Sequence, residues 1–347
     1  MINKPIELFC GTGGVGKTTL ATSRALYLAS LGKKVLLITI DPAKRLKQIL
    51  GMSDDDSGDV IKISPETFDD FNCSFDALLM NPSSTIQKMG KANNTFKELD
   101  NRIVKVLTKP YGGMNEIMAI VEVQYQLKSG VYDTIILDTP PGKHFIDFLA
   151  GSQKIKHFFD KSFVEIFKYL GKSFGPKDGS EKKSFIGKIV KSGVNKLLSY
   201  LEKVTGKNFV EEFIDAVIGL YKNKDSFLMA LDFQEDLKKE AFSNWFLVTS
   251  VEQHKIEEAS DLQAQAQGFM HLDSFLAINK CLGPYIEKWE EEMPNSDMTH
   301  LRNTMRDREN KLKEFAGKGY QKVLPFPEVF HPAPANHVSE LAKSWSE

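Results

Sequence analysis

The feature that most constrains this chain lies in its first twenty residues. An apolar run, Ile6 to Cys10, leads into the segment GTGGVGKTT, Gly11 to Thr19, and a helix-like run follows. Gly11, Gly16, Lys17 and Thr18 match the spacing G-x-x-x-x-G-K-[ST], and the strand before and helix after supply the context that this spacing needs. Backbone N–H groups along Thr12, Gly13, Gly14, Val15, Gly16 and Thr19 can then wrap phosphate oxygens. The Lys17 ammonium can lie against the β and γ oxygens of a nucleotide, and the Thr18 hydroxyl can hold magnesium.

Residues 17 to 31 read as a helix and KVLLITI, 34 to 40, as a second buried strand. Strand, loop, helix and strand form a β-α-β unit, whose right-handed crossover puts the loop at the carboxyl edge of a parallel sheet. The fold class expected is therefore α/β: a phosphate-loop NTPase with a mostly parallel central sheet, flanking helices and a helical insertion. Further strands are expected near Val60 to Ile63, Tyr132 to Leu137, Trp245 to Thr249 and Ser274 to Ile278. Helical material is expected from about 64 to 100, over Ile117 to Leu127, over Glu257 to Gln267 and after His337. The proline-rich tail LPFPEVFHPAP reads as an ordered loop.

At 347 residues the chain is long enough for one large core with an insertion, and a formal net charge of -1 gives no global attraction to nucleic acid. Cys10, Cys73 and Cys281 are far apart in sequence and form neither a disulfide framework nor a C-x-x-C pair. The start leaves no room for a cleavable signal peptide, and no stretch approaches 18 uncharged apolar residues, so a cytoplasmic location is expected.

Three segments follow: 1–150 as the N-terminal half of a nucleotide-binding domain, 151–240 as a basic amphipathic helical insertion, and 241–347 as the C-terminal half. In the insertion lysines outnumber acidic residues, and apolar residues recur at helical spacing, as in Phe163, Ile166, Phe167 and Leu170 and again from Phe185 to Leu201. Such stripes can be a core face, a groove for an apolar or anionic partner, or a membrane-surface contact.

Two carboxylates follow apolar strands. Asp41, in IDPAKR, is the candidate for orienting or activating the attacking water. Asp138, in LDTPPG, is the candidate for the outer magnesium shell. Each could instead cap the helix after its strand. Asn279, in AINK, ends another strand with an amide suited to a base edge.

The order GTGGVGKTT, LLITIDPAKRL, IILDTPPGKHFIDFL, AINK and LPFPE resembles the arsenite-pump-driving and tail-anchored-protein-targeting ATPase family, and is most similar to its bacterial anion-transporting branch. The resemblance implies that Gly11 to Thr19 hold ATP and that Asp41 and Asp138 open two switches, with Pro140 to His144 carrying nucleotide state into the helical subdomain. It implies that Asn279 contacts adenine and that the loop with Pro325, Phe326 and Pro327 closes over the base. Guanine is disfavoured, because the aspartate of an N-K-x-D element is here Leu282. The partners implied are a second copy or a related ATPase, and a membrane protein or hydrophobic protein segment as cargo. No specific nucleic acid is expected.

The chain departs from the family pattern at Thr12, where a second lysine normally reaches phosphate across the dimer. It also lacks the C-x-x-C pair of a zinc-bridged dimer, so no structural zinc is expected, and it lacks clustered cysteines for trivalent arsenic. The expected function is a Mg-dependent ATPase coupled to movement of a partner-binding helical subdomain. A slow or nonhydrolytic adenine-nucleotide switch, or a chaperone for hydrophobic segments, is the alternative. A DNA-positioning ATPase and a small-molecule kinase have less support in the residues.

Overall fold

The computed structural model describes residues 3–40, 44–53, 55–109, 114–151, 153, 155, 200, 202–271, 273–292, 296–316 and 319–346. The described residues fall into two compact units. One comprises Met1–Met80, Glu122–Ala150 and Phe233–Glu347, and the other Asn81–Val121 and Gly151–Asp232. The second unit takes 81–121 from the stretch that the sequence division gives to the N-terminal half.

Among the described residues the first unit is built on one sheet of eight strands. In chain order these are β1 (Ile6–Gly11), β2 (Val35–Thr39), β3 (Val60–Ile63), β4 (Phe75–Leu79), β5 (Thr134–Asp138), β6 (Ser243–Ser250), β7 (Phe275–Cys281) and β8 (Lys322–Pro327). Their spatial order is β3-β4-β2-β5-β1-β6-β7-β8, and all neighbours pair in parallel except β3 with β4. The mostly parallel α/β fold expected from the sequence is thus present. Strands β1 and β2 are not direct neighbours, since β5 lies between them and pairs with both. After β1 the chain builds one side of the sheet, and at β6 it crosses to the other. The carboxyl end of β1 therefore lies at a topological switch point, where open α/β sheets bind ligands.

Two elements differ from expectation. Phe75–Leu79, expected as helical material, is the parallel strand β4; a short apolar run buried on both faces has no periodicity to distinguish strand from helix. Leu324 to Pro327, expected as loop, lie in the edge strand β8. Its prolines are tolerated there because an edge strand leaves backbone positions out of the ladder.

One face of the sheet is covered by α1 (Lys17–Ser30) and by α13 (Pro334–Lys343), the last helix of the chain. Between them Phe9 stacks on Phe246 at 4.7 Å and Phe246 on Phe275 at 5.2 Å, while Trp345 meets Phe9, Phe246 and Phe326. Each such aromatic contributes about 1.5–3 kcal/mol of burial. Within this apolar layer Arg24 of α1 forms a two-pronged ion pair with Glu7 of β1, at 2.8 and 2.9 Å, with both side chains fully buried. Asn244 donates to the same carboxylate, and the Trp345 indole donates to Ser23. A charge pair in this setting persists only because its hydrogen bonds are satisfied. The effect is to fix α1, and so the start of that helix, on the sheet.

The second unit is helical in its described part. Helix α3 (Pro82–Ala92) starts at Asn81, whose side chain accepts from Ser83 and Ser84 N–H, with Pro82 at the first helical position. Short helices α4 (Phe96–Leu99) and α5 (Arg102–Leu107) follow, and α8 (Lys207–Lys222) packs on α4 across Gly219, where an added Cβ would lie 2.9 Å from Leu99. Buried Asn223 ties the turn after α8 to the turn after α3, donating to Thr95 and accepting from Asn93. Helices α6 (Asn115–Ser129) and α9 (Lys224–Leu237) contribute residues to both units, and α7 (Lys143–Leu149), α10 (Gln253–Ala266), α11 (Gly283–Glu292) and α12 (Ser296–Ala316) belong to the first. The stripes expected at Phe163 to Leu170 and Phe185 to Leu201 lie outside the described residues. No described helix is long and apolar enough to cross a membrane.

Candidate nucleotide site

Strand β1 ends at Gly11, and this position has no room for a side chain: a Cβ would stand 2.2 Å from the Val248 carbonyl of neighbouring β6. The loop then opens. Gly13 and Gly14 are exposed, and Gly14 and Gly16 take φ of 79° and 92°, a left-handed conformation that glycine accepts without strain. Gly16 is the residue before α1. That helix has neither a side-chain cap nor an acidic residue in its first turn, so its leading N–H groups and positive dipole end are left for an external anion. Lys17, almost fully buried, donates from Nζ to the Thr12 carbonyl at 3.1 Å, which holds the ammonium over the loop. Thr19 turns into the core.

The second part of the site comes from β5. Asp138, its last residue and 2 % exposed, accepts from the Thr18 hydroxyl at 2.7 Å and from the Thr39 hydroxyl at 3.1 Å. Register explains the convergence, since Asp138 pairs with Phe9 on one side and Thr39 on the other. The following DTPPG turn is strapped to β1. The Thr139 hydroxyl donates to the Phe9 carbonyl at 2.8 Å, and Gly142 N–H donates to the Gly11 carbonyl at 3.1 Å. Thr39 was not singled out in the sequence. Its only signal there is a polar residue near the end of an otherwise apolar run.

Asn279, on β7, is 6 % exposed and directs Nδ2 to the Val15 carbonyl at 2.9 Å, so its side chain meets the phosphate loop. Pro325 is exposed on β8, whereas the Phe326 ring is buried against Trp345 at 4.6 Å and offers only backbone to a base. Asp41 lies outside the described residues. The structure therefore brings Gly11–Thr19, Asp138 and Asn279 together and sets the Phe326 side chain apart from them.

Burial pushes the Cys10 and Cys281 thiols up to about 12, with Glu309 adding to the effect at Cys281. Both remain protonated at neutral pH, a poor state for a soft-metal ligand. Among the described residues no three His, Cys, Asp or Glu side chains form a metal cluster.

A phosphate loop between β1 and α1, at the switch point of a mostly parallel sheet and facing a strand-terminal aspartate, defines a phosphate-loop NTPase. The profile of the anion-transporting ATPase family matches residues 5–288, and the chain belongs to that family. It is similar to the protein named ATPase GET3 of Mycosarcoma maydis, with 31% identity over 166 residues, or 48% of this chain and 46% of the relative. It is also similar to ATPase get3 of Aspergillus niger, with 28% identity over 221 residues, covering 62% and 59%. ATPase GET3 of Paracoccidioides brasiliensis strain Pb03 is 31% identical over 172 residues, covering 48% and 47%. The chain spans about half the length of most of these curated relatives. They are fungal, and the narrower placement in a bacterial branch finds no support in them.

Proposed function

We propose that the chain binds MgATP at the carboxyl end of β1 and hydrolyses it, with nucleotide state passed to the helical unit where a partner binds. The observation that carries this reading is the convergence of Lys17, Thr18, Asp138 and the open α1 N-terminus on one loop. Glycine at 13 and 14 leaves the cradle free of side chains: an added Cβ at either would meet nothing within 4 Å. Lys17 then exchanges the Thr12 carbonyl for phosphate oxygens, and the loop N–H groups hold the β-phosphate.

The donor set suits a hard divalent cation, since Thr18 and Asp138 offer a hydroxyl and a carboxylate 2.7 Å apart. Magnesium held there would neutralise charge on the β- and γ-phosphates. Asp138 orients the Thr18 hydroxyl, and Asp41 is assigned the orientation of the attacking water. Steady-state ATP turnover tests the reading: wild type should hydrolyse ATP, while Lys17→Ala and Asp41→Asn should fall to background. Equal rates in all three proteins would end it.

A slow or purely binding switch is the second reading. It is favoured by Thr12, which stands where the family pattern has a lysine and so contributes a hydroxyl in place of a cation. A cation near the transferring group is worth several orders of magnitude in such reactions. Single-turnover hydrolysis faster than one per minute would argue against it.

For the partner, the apolar stripes of 151–208 and the family resemblance support a hydrophobic protein segment or membrane protein as cargo. The family resemblance also supports a cytoplasmic homodimer or a pairing with a related ATPase. Crosslinking of an apolar helical peptide that depends on ADP versus ATP analogue would support the carrier role. Capture indifferent to nucleotide would remove it.

A further inference from the structure

Asn279 is expected to face a base, yet its amide is turned to the phosphate loop. The orientation is set by chemistry: the Val15 carbonyl can only accept, so the NH2 end must face it and Oδ1 must point elsewhere. Both partners are shaped for this contact. Gly16, at φ 92°, passes so close to the amide that a Cβ there would lie 2.2 Å from Nδ2. On the β7 side, Lys280 takes φ 63°, which non-glycine residues seldom adopt, and the β7–β8 register breaks between Ile278 and Cys281. Residue 279 thereby leaves the ladder with β8 while staying paired with Ser250 of β6. The Ser250 hydroxyl goes to Glu252, so it does not compete for the amide.

We propose that Asn279 is a latch on the phosphate loop: its Nδ2 fixes the Val15–Gly16 turn that presents the α1 N–H groups. The inference rests on the nucleotide reading above and goes beyond it by giving Asn279 a role that needs no base. Loss of the latch therefore weakens ligands that carry phosphate alone.

The experiment is calorimetric titration of the full chain with Mg-tripolyphosphate, which has no base, and with MgATP. Wild type is compared with Asn279→Leu, which keeps side-chain bulk, and Asn279→Ser, which makes a smaller change should the first not accumulate. In both variants the Kd for Mg-tripolyphosphate should rise roughly three- to tenfold, the worth of one net hydrogen bond. Misfolded material lowers stoichiometry but leaves the Kd of the folded fraction readable. Unchanged tripolyphosphate affinity overturns the latch, whether or not ATP binding weakens. A wild-type chain that binds neither tripolyphosphate nor ATP removes the nucleotide reading itself.

Discussion

At the residue scale the site depends on Gly11 and on Asp138 for different reasons. Gly11 is required by a neighbouring strand, because a methyl group there would meet the Val248 carbonyl at 2.2 Å and neither backbone can yield without opening the β1–β6 ladder. Gly11→Ala should lower the unfolding free energy by about 2–4 kcal/mol, read as a reduced urea midpoint at unchanged slope. An unchanged midpoint would mean that β1 and β6 are not this close. Asp138 is under a different constraint, since it receives two hydroxyls and sits at the loop. Asp138→Asn keeps the shape and can leave its one carbonyl oxygen under both hydroxyls, which share Oδ2, but it removes the negative charge and puts an NH2 group where the other carboxylate oxygen stands. ATP turnover should fall roughly 10–100-fold, the usual cost of losing a group that orients a metal ligand. Wild-type turnover in that variant would exclude Asp138 from the site's function.

At the scale of elements, α1 is held on the sheet by the Arg24–Glu7 pair and the Trp345 indole. Removing one member of a buried pair leaves an uncompensated charge, so Arg24→Met should destabilise the protein by about 3–5 kcal/mol, and Arg24→Met with Glu7→Leu should recover much of the loss. Additive losses in the double variant, measured by urea unfolding, would contradict this account. Strand β6 carries a pH-sensitive contact. His271 Nε2 donates to the Ser243 carbonyl at 2.9 Å, and burial lowers its affinity for a proton below that of an ordinary imidazole. The unfolded chain therefore takes up that proton at higher pH than the fold does. Stability should be complete above about pH 6.5, the ordinary imidazole value, and fall as pH drops below it, with a shallower slope in His271→Gln. The phosphate loop, β1, β2, β5, β6 and β7 were legible in the sequence because each is an apolar run punctuated by glycine or a polar strand end. Strand β4 was not, since FDALL carries no alternation, and β8 was obscured by its prolines. Asp138 was legible from its position after a strand. Its partner Thr39 was not, because their meeting depends on β5 inserting between β1 and β2, which no local pattern encodes.

For the whole molecule, the question is whether nucleotide reaches the helical unit. Thermodynamic linkage separates the possibilities, because a ligand stabilises only what must be folded to bind it, by about 2.7 kcal/mol at a hundredfold excess over Kd. The candidate site is made wholly from the sheet unit, from Gly11–Thr19, Thr39, Asp138 and Asn279. Passive binding would therefore slow amide exchange in β1, α1, β5 and β7 and leave the second unit unchanged. Coupling would also alter exchange in α8 and around the Asn223 knot that fixes it to Thr95 and Asn93, none of which belongs to the sheet unit. Hydrogen-exchange mass spectrometry with ADP and with a nonhydrolysable ATP analogue should show protection of the sheet unit in both states and a difference between them in α8. Lys17→Ala should abolish both effects. Protection confined to the sheet unit and identical for the two nucleotides would leave an ATP-binding domain whose helical unit does not respond to what it binds.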